Sequence, residues 1–175
     1  MSFFFELLKT RRSIRKYLPQ KVEAEKIDII TNAALMSPAS KRTNSWEFIV
    51  VQDTHTLQKL SECREHGSQF LADSPLGIVV IADTTKSDVW FEDASIASII
   101  IQLQAADLGL GSCWIQVYNR KKDETISSEE YIKQLLQIPE NYAVLNIISI
   151  GYPNEIKKSF EENKLQKEKI HKELF

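Results

Sequence analysis

Two cysteines, five glycines, five prolines and three histidines are few for a chain of 175 residues, and each shortage excludes something. Cys63 and Cys113 stand far apart, so neither a disulfide framework nor a zinc-ligand spacing can be read from them. His55, His66 and His171 are equally scattered, and no metal site is expected. The sequence has no G-x-G-x-x-G fingerprint, no G-x-x-x-x-G-K-[ST] loop and no G-x-S-x-G elbow. No apolar run approaches the roughly 20 residues of a membrane-spanning helix. The opening MSFFFELLKT is too short for a signal peptide and lacks a small-residue cleavage site, which makes the cytoplasm the expected compartment. With 22 basic against 24 acidic residues, the net charge of −2 gives no broad cationic surface for nucleic acid.

What is present is an ordinary globular composition, 43% hydrophobic and 26% charged, in one domain spanning residues 1–175. Five segments have helical patterning. Phe4, Phe5, Leu7 and Leu8 follow a candidate cap at Ser2, and residues 22–38 carry Ile27, Ile30, Ala34 and Leu35 before Pro38. Residues 54–66 follow with Thr54 as a candidate cap, then 89–111 and 128–138. The fourth of these is apolar almost all round, which predicts a central helix buried on most faces and ended by Gly109 and Gly111. Four apolar runs, WEFIVVQD, LGIVVIAD, SCWIQVYN and YAVLNIISIGYP, read as buried strands. Helices alternating with strands covered on both faces imply a three-layer α/β or α+β sandwich. Residues 154–175 form a charged tail with sparse apolar anchors.

Few constellations carry chemistry. His66 reads as a solvated or capping group, and Cys113 as a small buried thiol. Glu92 and Asp93 are adjacent, so on a helix they point apart and are expected in solvent rather than as a paired acid and base. The exception is TRRSIRKY, residues 10–17. Residues 7–22 hold six basic side chains and no acidic one. On a helical turn Arg11 and Arg15, and Arg12 and Lys16, would form like-charged pairs four apart that repel. A face fanning into water is one account of this crowding. An anion among the guanidinium groups, with Ser13 and backbone N–H groups as neutral donors, is the other. Charge alone leaves both open.

The order of the motifs adds a resemblance. RRSIRKY after an apolar helix, SPASKRTNSWEFIVV, FLADSPLGIVVIAD, DASIASIIIQLQAADLGLGSCWI, and LNIISIGYPNE with EKIHKELF resemble successive motifs of the FMN-dependent nitroreductase family across nearly the whole chain. The resemblance implies an α+β fold, a three-layer α/β/α sandwich with a mixed central sheet. It also implies an intertwined homodimer with two FMN sites at the interface and residues 154–175 wrapping the partner. By position, Arg11, Arg12 and Ser13 would meet the phosphate and ribityl chain of FMN, and Arg15 the pyrimidine edge of the flavin. Ala39, Ser40 and Arg42 match loop positions facing the partner's cofactor, and Asn44 an amide near the ring. Cys113, Trp114 and Ile115 match a strand end lining one flavin face, and Lys164 a basic position closing on the phosphate. Lys16 is left as surface.

The implied activity is that of an FMN-dependent oxidoreductase. Hydride from NADH or NADPH passes through flavin N5 to a nitroaromatic, quinone or similar small acceptor by a ping-pong mechanism. No catalytic side chain is nominated, because the cofactor carries the chemistry. Other flavin chemistry on the same fold (dehalogenase-like or flavin-consuming) and a non-catalytic flavin-binding protein are the alternatives. Two departures stand out. The family commonly has Ser at the position of Ala39 and Asn at that of Arg42, and Arg42 could instead attract nicotinamide-cofactor phosphates or an acidic substrate. The segment DTTKSDVW leaves little room for the helical lid of larger members.

Overall fold

A computed structural model describes residues 2–175. Its elements follow the sequence periodicities, with helices α1 (Phe3–Thr10), α2 (Ala24–Leu35), α3 (Thr54–Ser61), α4 (Trp90–Asp107) and α5 (Ser128–Leu136). The strands are β1 (Trp46–Val51), β2 (Leu76–Asp83), β3 (Gly111–Gln116) and β4 (Tyr142–Gly151). They form one sheet in the order β1-β2-β4-β3, and all three pairings are antiparallel. The expected mixed sheet is thereby corrected: the one parallel pairing among the described residues is a single bridge between Ser13 and Ser112. Antiparallel neighbours need no long crossover, and α3 with the 3₁₀ turn at Gln69–Asp73 reverses the chain between β1 and β2.

Three layers result. On one face of the sheet, α2 and α4 bury Ile27, Ile30, Ala94 and Ile101 against Ile78, Val80, Leu145 and Ile148. On the other, α3 and α5 bury Leu57, Leu60 and Ile132 against Val79, Ile81, Val144 and Ile147. The two central strands are buried along almost their whole length, which explains their continuous apolar runs. Register shifts by one residue between Val80 and Ile81, which pair with Asn146 and Val144 and leave Leu145 as a bulge. The bulge turns Asn146 toward α4, where its Nδ2 donates to Ser98 Oγ at 2.7 Å and that hydroxyl donates to the Ala94 carbonyl at 2.8 Å.

Other details differ from the expectation. The cap of α3 is Asp53 rather than Thr54, its carboxylate accepting from the Thr56 amide at 2.8 Å. That helix ends at Ser61, before the predicted boundary, where Ser68 Oγ donates to the Ser61 carbonyl at 2.6 Å. Ser2 occupies the N-cap of α1 without a capping side-chain bond. Gly109 takes the left-handed conformation (φ 76°) that ends α4, whereas Gly111 opens β3. Helix α4 is not buried on most faces of this chain: Phe91, Ile96 and Ile99 are exposed. No helix among the described residues is long and apolar enough to cross a membrane.

The end of β2 carries a buried carboxylate. Asp83 Oδ1 accepts from the Thr85 hydroxyl at 2.6 Å and the Thr85 amide at 3.0 Å, and Lys86 Nζ lies 3.5 Å from Oδ2. These partners, the Thr85 hydroxyl foremost, hold its carboxyl at about 2 against an ordinary 3.8. A folded value below the unfolded one gives stability that is fully present above 3.8 and lost as pH falls toward 2. Thermal unfolding across this interval should therefore fall less steeply for D83N than for the parent. Equal acid slopes would contradict this account of Asp83.

Candidate functional site

Helix α1 stops at Thr10, and Arg11 at its end is already extended (φ −60°, ψ 120°), so the basic segment is not a helical turn. The repulsive four-apart stacking is thereby avoided. Instead the segment is fastened to the sheet. Ser13 bridges to Ser112 at the start of β3, and the Ile14 amide donates to the Ser112 carbonyl at 3.0 Å. Ile14 and Tyr17 are buried. The Tyr17 hydroxyl contacts the Ile14 carbonyl at 2.6 Å and Ser149 Oγ on β4 at 2.7 Å, and burial pushes its pKa well above the ordinary phenol value. Downstream, the Leu18 amide donates to the Tyr152 carbonyl at 2.9 Å.

The residues after β4 return to the same place. The Asn154 amide donates to the Lys16 carbonyl and the Phe160 amide to the Lys9 carbonyl, each at 2.8 Å. Arg12 Nη1 donates to the Lys158 carbonyl, and Lys9 Nζ lies 3.0 Å from Glu162 Oε1. Between the opening segment and this strap lies a cavity of about 490 Å³, lined by Arg11, Arg12, Ser13, Arg15 and Lys157 and flanked by Leu8 and Phe160. Four cations and no carboxylate form its wall. Among the described residues the Arg11 guanidinium has no carboxylate or carbonyl partner, and that of Arg15 lies 5.9 Å from the Phe70 ring centre. The positive field reaches β3. Burial pushes the Cys113 thiol up, while Arg15, a hydrogen bond with Ser13 and Arg11 pull the other way. A wall of this charge suits a multiply charged anion on physical grounds.

The structure brings some of the nominated residues together and leaves others apart. Arg11, Arg12, Ser13 and Arg15 line the cavity. Cys113 is buried behind Ser13, Ile115 is buried on the α3/α5 face, and Trp114 is half-buried on the other, its Nε1 donating to Gln116 Oε1 at 2.8 Å. Ala39, Ser40, Arg42 and Asn44 lie on a loop that does not line this cavity. The loop is nonetheless tightly set: Lys41, Arg42 and Asn44 all have left-handed backbones (φ 50°, 56° and 45°). Each costs on the order of 1 kcal/mol for a residue with a side chain. The Ser40 amide donates to Asp93 Oδ1 at 2.9 Å. Asp93 is therefore buried and structural, not solvated as its place beside Glu92 suggested. Lys164 also stays out of the cavity and pairs with Glu161 at 3.0 Å. Lys157 lines it instead, a residue that periodicity and motif order missed. Its signal lay in the topology: β4 ends beside β3, which is bridged to Ser13, so whatever follows β4 must pass the opening segment.

The sequence and fold that carry this site are shared with known proteins. The sequence profile of the nitroreductase family matches residues 8–66 and 61–152, from the last turns of α1 to just beyond β4. The chain belongs to the nitroreductase family. It is similar to an FMN-dependent nitroreductase from Clostridium difficile R20291, with 53% identity over 98% of this chain and 99% of that one and a TM-score of 0.97. A provisionally named NADH dehydrogenase/NAD(P)H nitroreductase from Archaeoglobus fulgidus is 37% identical over 96% of each chain. A crystal structure bearing the same provisional name, from Parabacteroides distasonis, is 33% identical over the full length of both chains, with a TM-score of 0.90.

The attachment of the basic segment can be tested at Gly111. A Cβ there would lie 2.7 Å from Ile14 Cβ, at the branch point of the side chain rather than its flexible end. G111A is expected to cost about 1–3 kcal/mol and to displace Ile14 and the neighbouring arginines. Denaturant unfolding should show the loss. An unchanged midpoint would mean that the Gly111–Ile14 approach does not hold the segment in place.

Proposed function

We propose that the protein is an FMN-dependent oxidoreductase that takes hydride from NADH or NADPH and delivers it to small acceptors such as nitroaromatics and quinones by a ping-pong mechanism. The carrying observation is the cavity walled by Arg11, Arg12, Arg15 and Lys157 in a chain whose net charge is −2. The names of its relatives, an FMN-dependent nitroreductase among them, support the same reading.

The residues present fit the phosphate end of FMN. Arg11 and Lys157 offer charge, and Ser13 a hydroxyl donor. Arg12 spends one N–H on the Lys158 carbonyl and keeps the others for the anion. Arg15, extending past the phosphate site toward Phe70, is assigned to the pyrimidine edge of the ring, where a fixed cation stabilises the negative charge gained on reduction. FMN itself, when bound, supplies the hydride-carrying centre. Cys113, Trp114 and Ile115 are assigned to the strand beside the ring, their backbone rather than their side chains facing it.

Homodimerisation belongs to the proposal. Phe3, Phe4 and Leu8 on α1 and Phe91, Ile96 and Ile99 on α4 are exposed, as are Ile170, Leu174 and Phe175 in the tail. Apolar exposure of this extent marks an interaction surface. A second copy would cover it, receive the tail at 154–175, and bring its own Ala39, Ser40, Arg42 and Asn44 to the cofactor, with Lys164 arriving along the tail. The strained loop is then preorganised for a ligand of the partner rather than of its own chain. A cytoplasmic location accompanies this reading, in keeping with two free, buried cysteines.

Replacing both Arg11 and Arg15 with Ala should lower FMN affinity by at least roughly tenfold, each lost charged contact being worth about 1.5–3 kcal/mol, while sedimentation still reports a dimer. Retention of FMN as tight as in the parent would remove the phosphate assignment. In the parent, anaerobic NADH or NADPH should bleach the flavin absorbance. A bound flavin that neither donor bleaches would refute the enzymatic reading.

A further inference from the structure

One carboxylate stands at the edge of the cationic cavity without forming its wall. Glu155 Oε1 accepts the backbone amide of Arg15 at 2.6 Å, and its Oε2 lies 2.6 Å from Lys157 Nζ. Its side chain is only 15% exposed. The carboxylate lines a neighbouring cleft of about 220 Å³, whereas Lys157, Arg11 and Arg12 line both that cleft and the anion cavity. Glu155 thus touches two of the four cations from behind. One is held through its backbone and the other through its charge. Elsewhere the strap is tied to the segment through main-chain groups or outside the cavity, by Arg12 to the Lys158 carbonyl, Phe160 to Lys9, and Lys9 to Glu162.

We infer that Glu155 is a positioning residue for the anion cavity, one carboxylate oxygen fixing the Lys157 ammonium where it receives a phosphate monoester and the other bracing the opening segment at the Arg15 amide. An ammonium on a flexible four-carbon stem otherwise spreads over many rotamers, and fixing it in advance removes an ordering cost from binding. A fixed carboxylate behind a cation orients it as a buried acid orients a basic side chain elsewhere. The Arg15 amide and then Lys157 hold the Glu155 carboxyl below the ordinary carboxylate range, so it is charged at neutral pH. The inference rests on the proposed FMN site, and it specifies how that site distinguishes a phosphorylated flavin from one without phosphate.

The test compares FMN with riboflavin, which lacks the phosphate, in titrations of the full-length, flavin-free protein. The parent should prefer FMN. A parent without that preference would overturn the FMN reading itself, and with it the ligand named here. Given the preference, E155A should weaken FMN binding about tenfold and riboflavin binding much less, because the Lys157 contact is made to the phosphate alone while the brace on the Arg15 amide serves both ligands. A role confined to folding would weaken both ligands alike. K157A should weaken FMN and leave riboflavin unchanged, and the E155Q/K157A pair should bind FMN no more weakly than K157A alone, since both changes remove the same ion pair. E155Q keeps an acceptor for the Arg15 amide and loses the ion pair, so it should match K157A and fall between parent and E155A. It also serves if E155A does not fold. Equal losses for FMN and riboflavin, losses that multiply in the double variant, or a gain in FMN affinity on removing the carboxylate would each overturn the assignment. The last result would make Glu155 a competitor for Lys157.

Discussion

The fastening of residues 11–17 to the sheet is the constraint on which the rest depends. Four like charges crowded along one segment would disperse into water if the backbone were free. The backbone here is fixed by the Ser13–Ser112 bridge, by Ile14 against Gly111, and by the buried Tyr17 hydroxyl between the Ile14 carbonyl and Ser149. All three attachments lie on β3 and β4, whose own burial is nearly complete. The rigidity of the core is thereby passed to a polar surface feature. A preorganised cluster of donors binds an anion better than a mobile one, because the ordering and the repulsion are met during folding rather than at binding.

Much of this was legible in the chain. The run LGIVVIAD coincides with β2, and the other three strands begin within a residue of the predicted runs. An uninterrupted apolar run between turn residues has few alternatives to a strand buried on both faces. The arginines of the opening segment were also identifiable, because positive charge there departs from an otherwise balanced composition. The antiparallel direction of the strands was not legible. Pairing direction depends on how each connection returns, and no local pattern records it. Asp93 was misread for a related reason: its partner is the amide of Ser40, a backbone group that carries no side-chain signal. Lys157 and Glu155 were overlooked because their importance comes from the proximity of β4 and the opening segment, two elements more than a hundred residues apart. The charged tail around them offered several lysines and no means of choosing.

The chain also divides its polar investments. Asp93, Asn146 and Tyr17 are buried polar groups whose bonds hold loops and strands to one another. Among the described residues the Arg11 guanidinium bonds to no carboxylate or carbonyl, and the Arg15 guanidinium lies over the Phe70 ring without an ion pair. An arginine fixed by its own backbone whose guanidinium makes no ion pair is intelligible as provision for a ligand. The left-handed backbone around Arg42 is a second case, strain maintained in a loop that does not line the cavity of its own chain.

The bulge at Leu145 has a bearing on how such chains can diverge. Because of it, Leu145 and Asn146 both face α2 and α4, while Val144 and Ile147 face the opposite layer. Side chains along a strand alternate with a period of two, so losing or gaining one residue near the bulge would invert every position beyond it. The half of β4 from Ile147 to Gly151 carries the contacts to Tyr17 and pairs with the start of β3. An inversion there would expose the core and detach the basic segment in one event. An insertion or deletion in the middle of β4 would therefore be costly, whereas the exposed turn at Thr84–Lys86 can change length without altering the register of the sheet. Relatives with extra segments between β2 and α4 would have grown at the point where the sheet does not record the change.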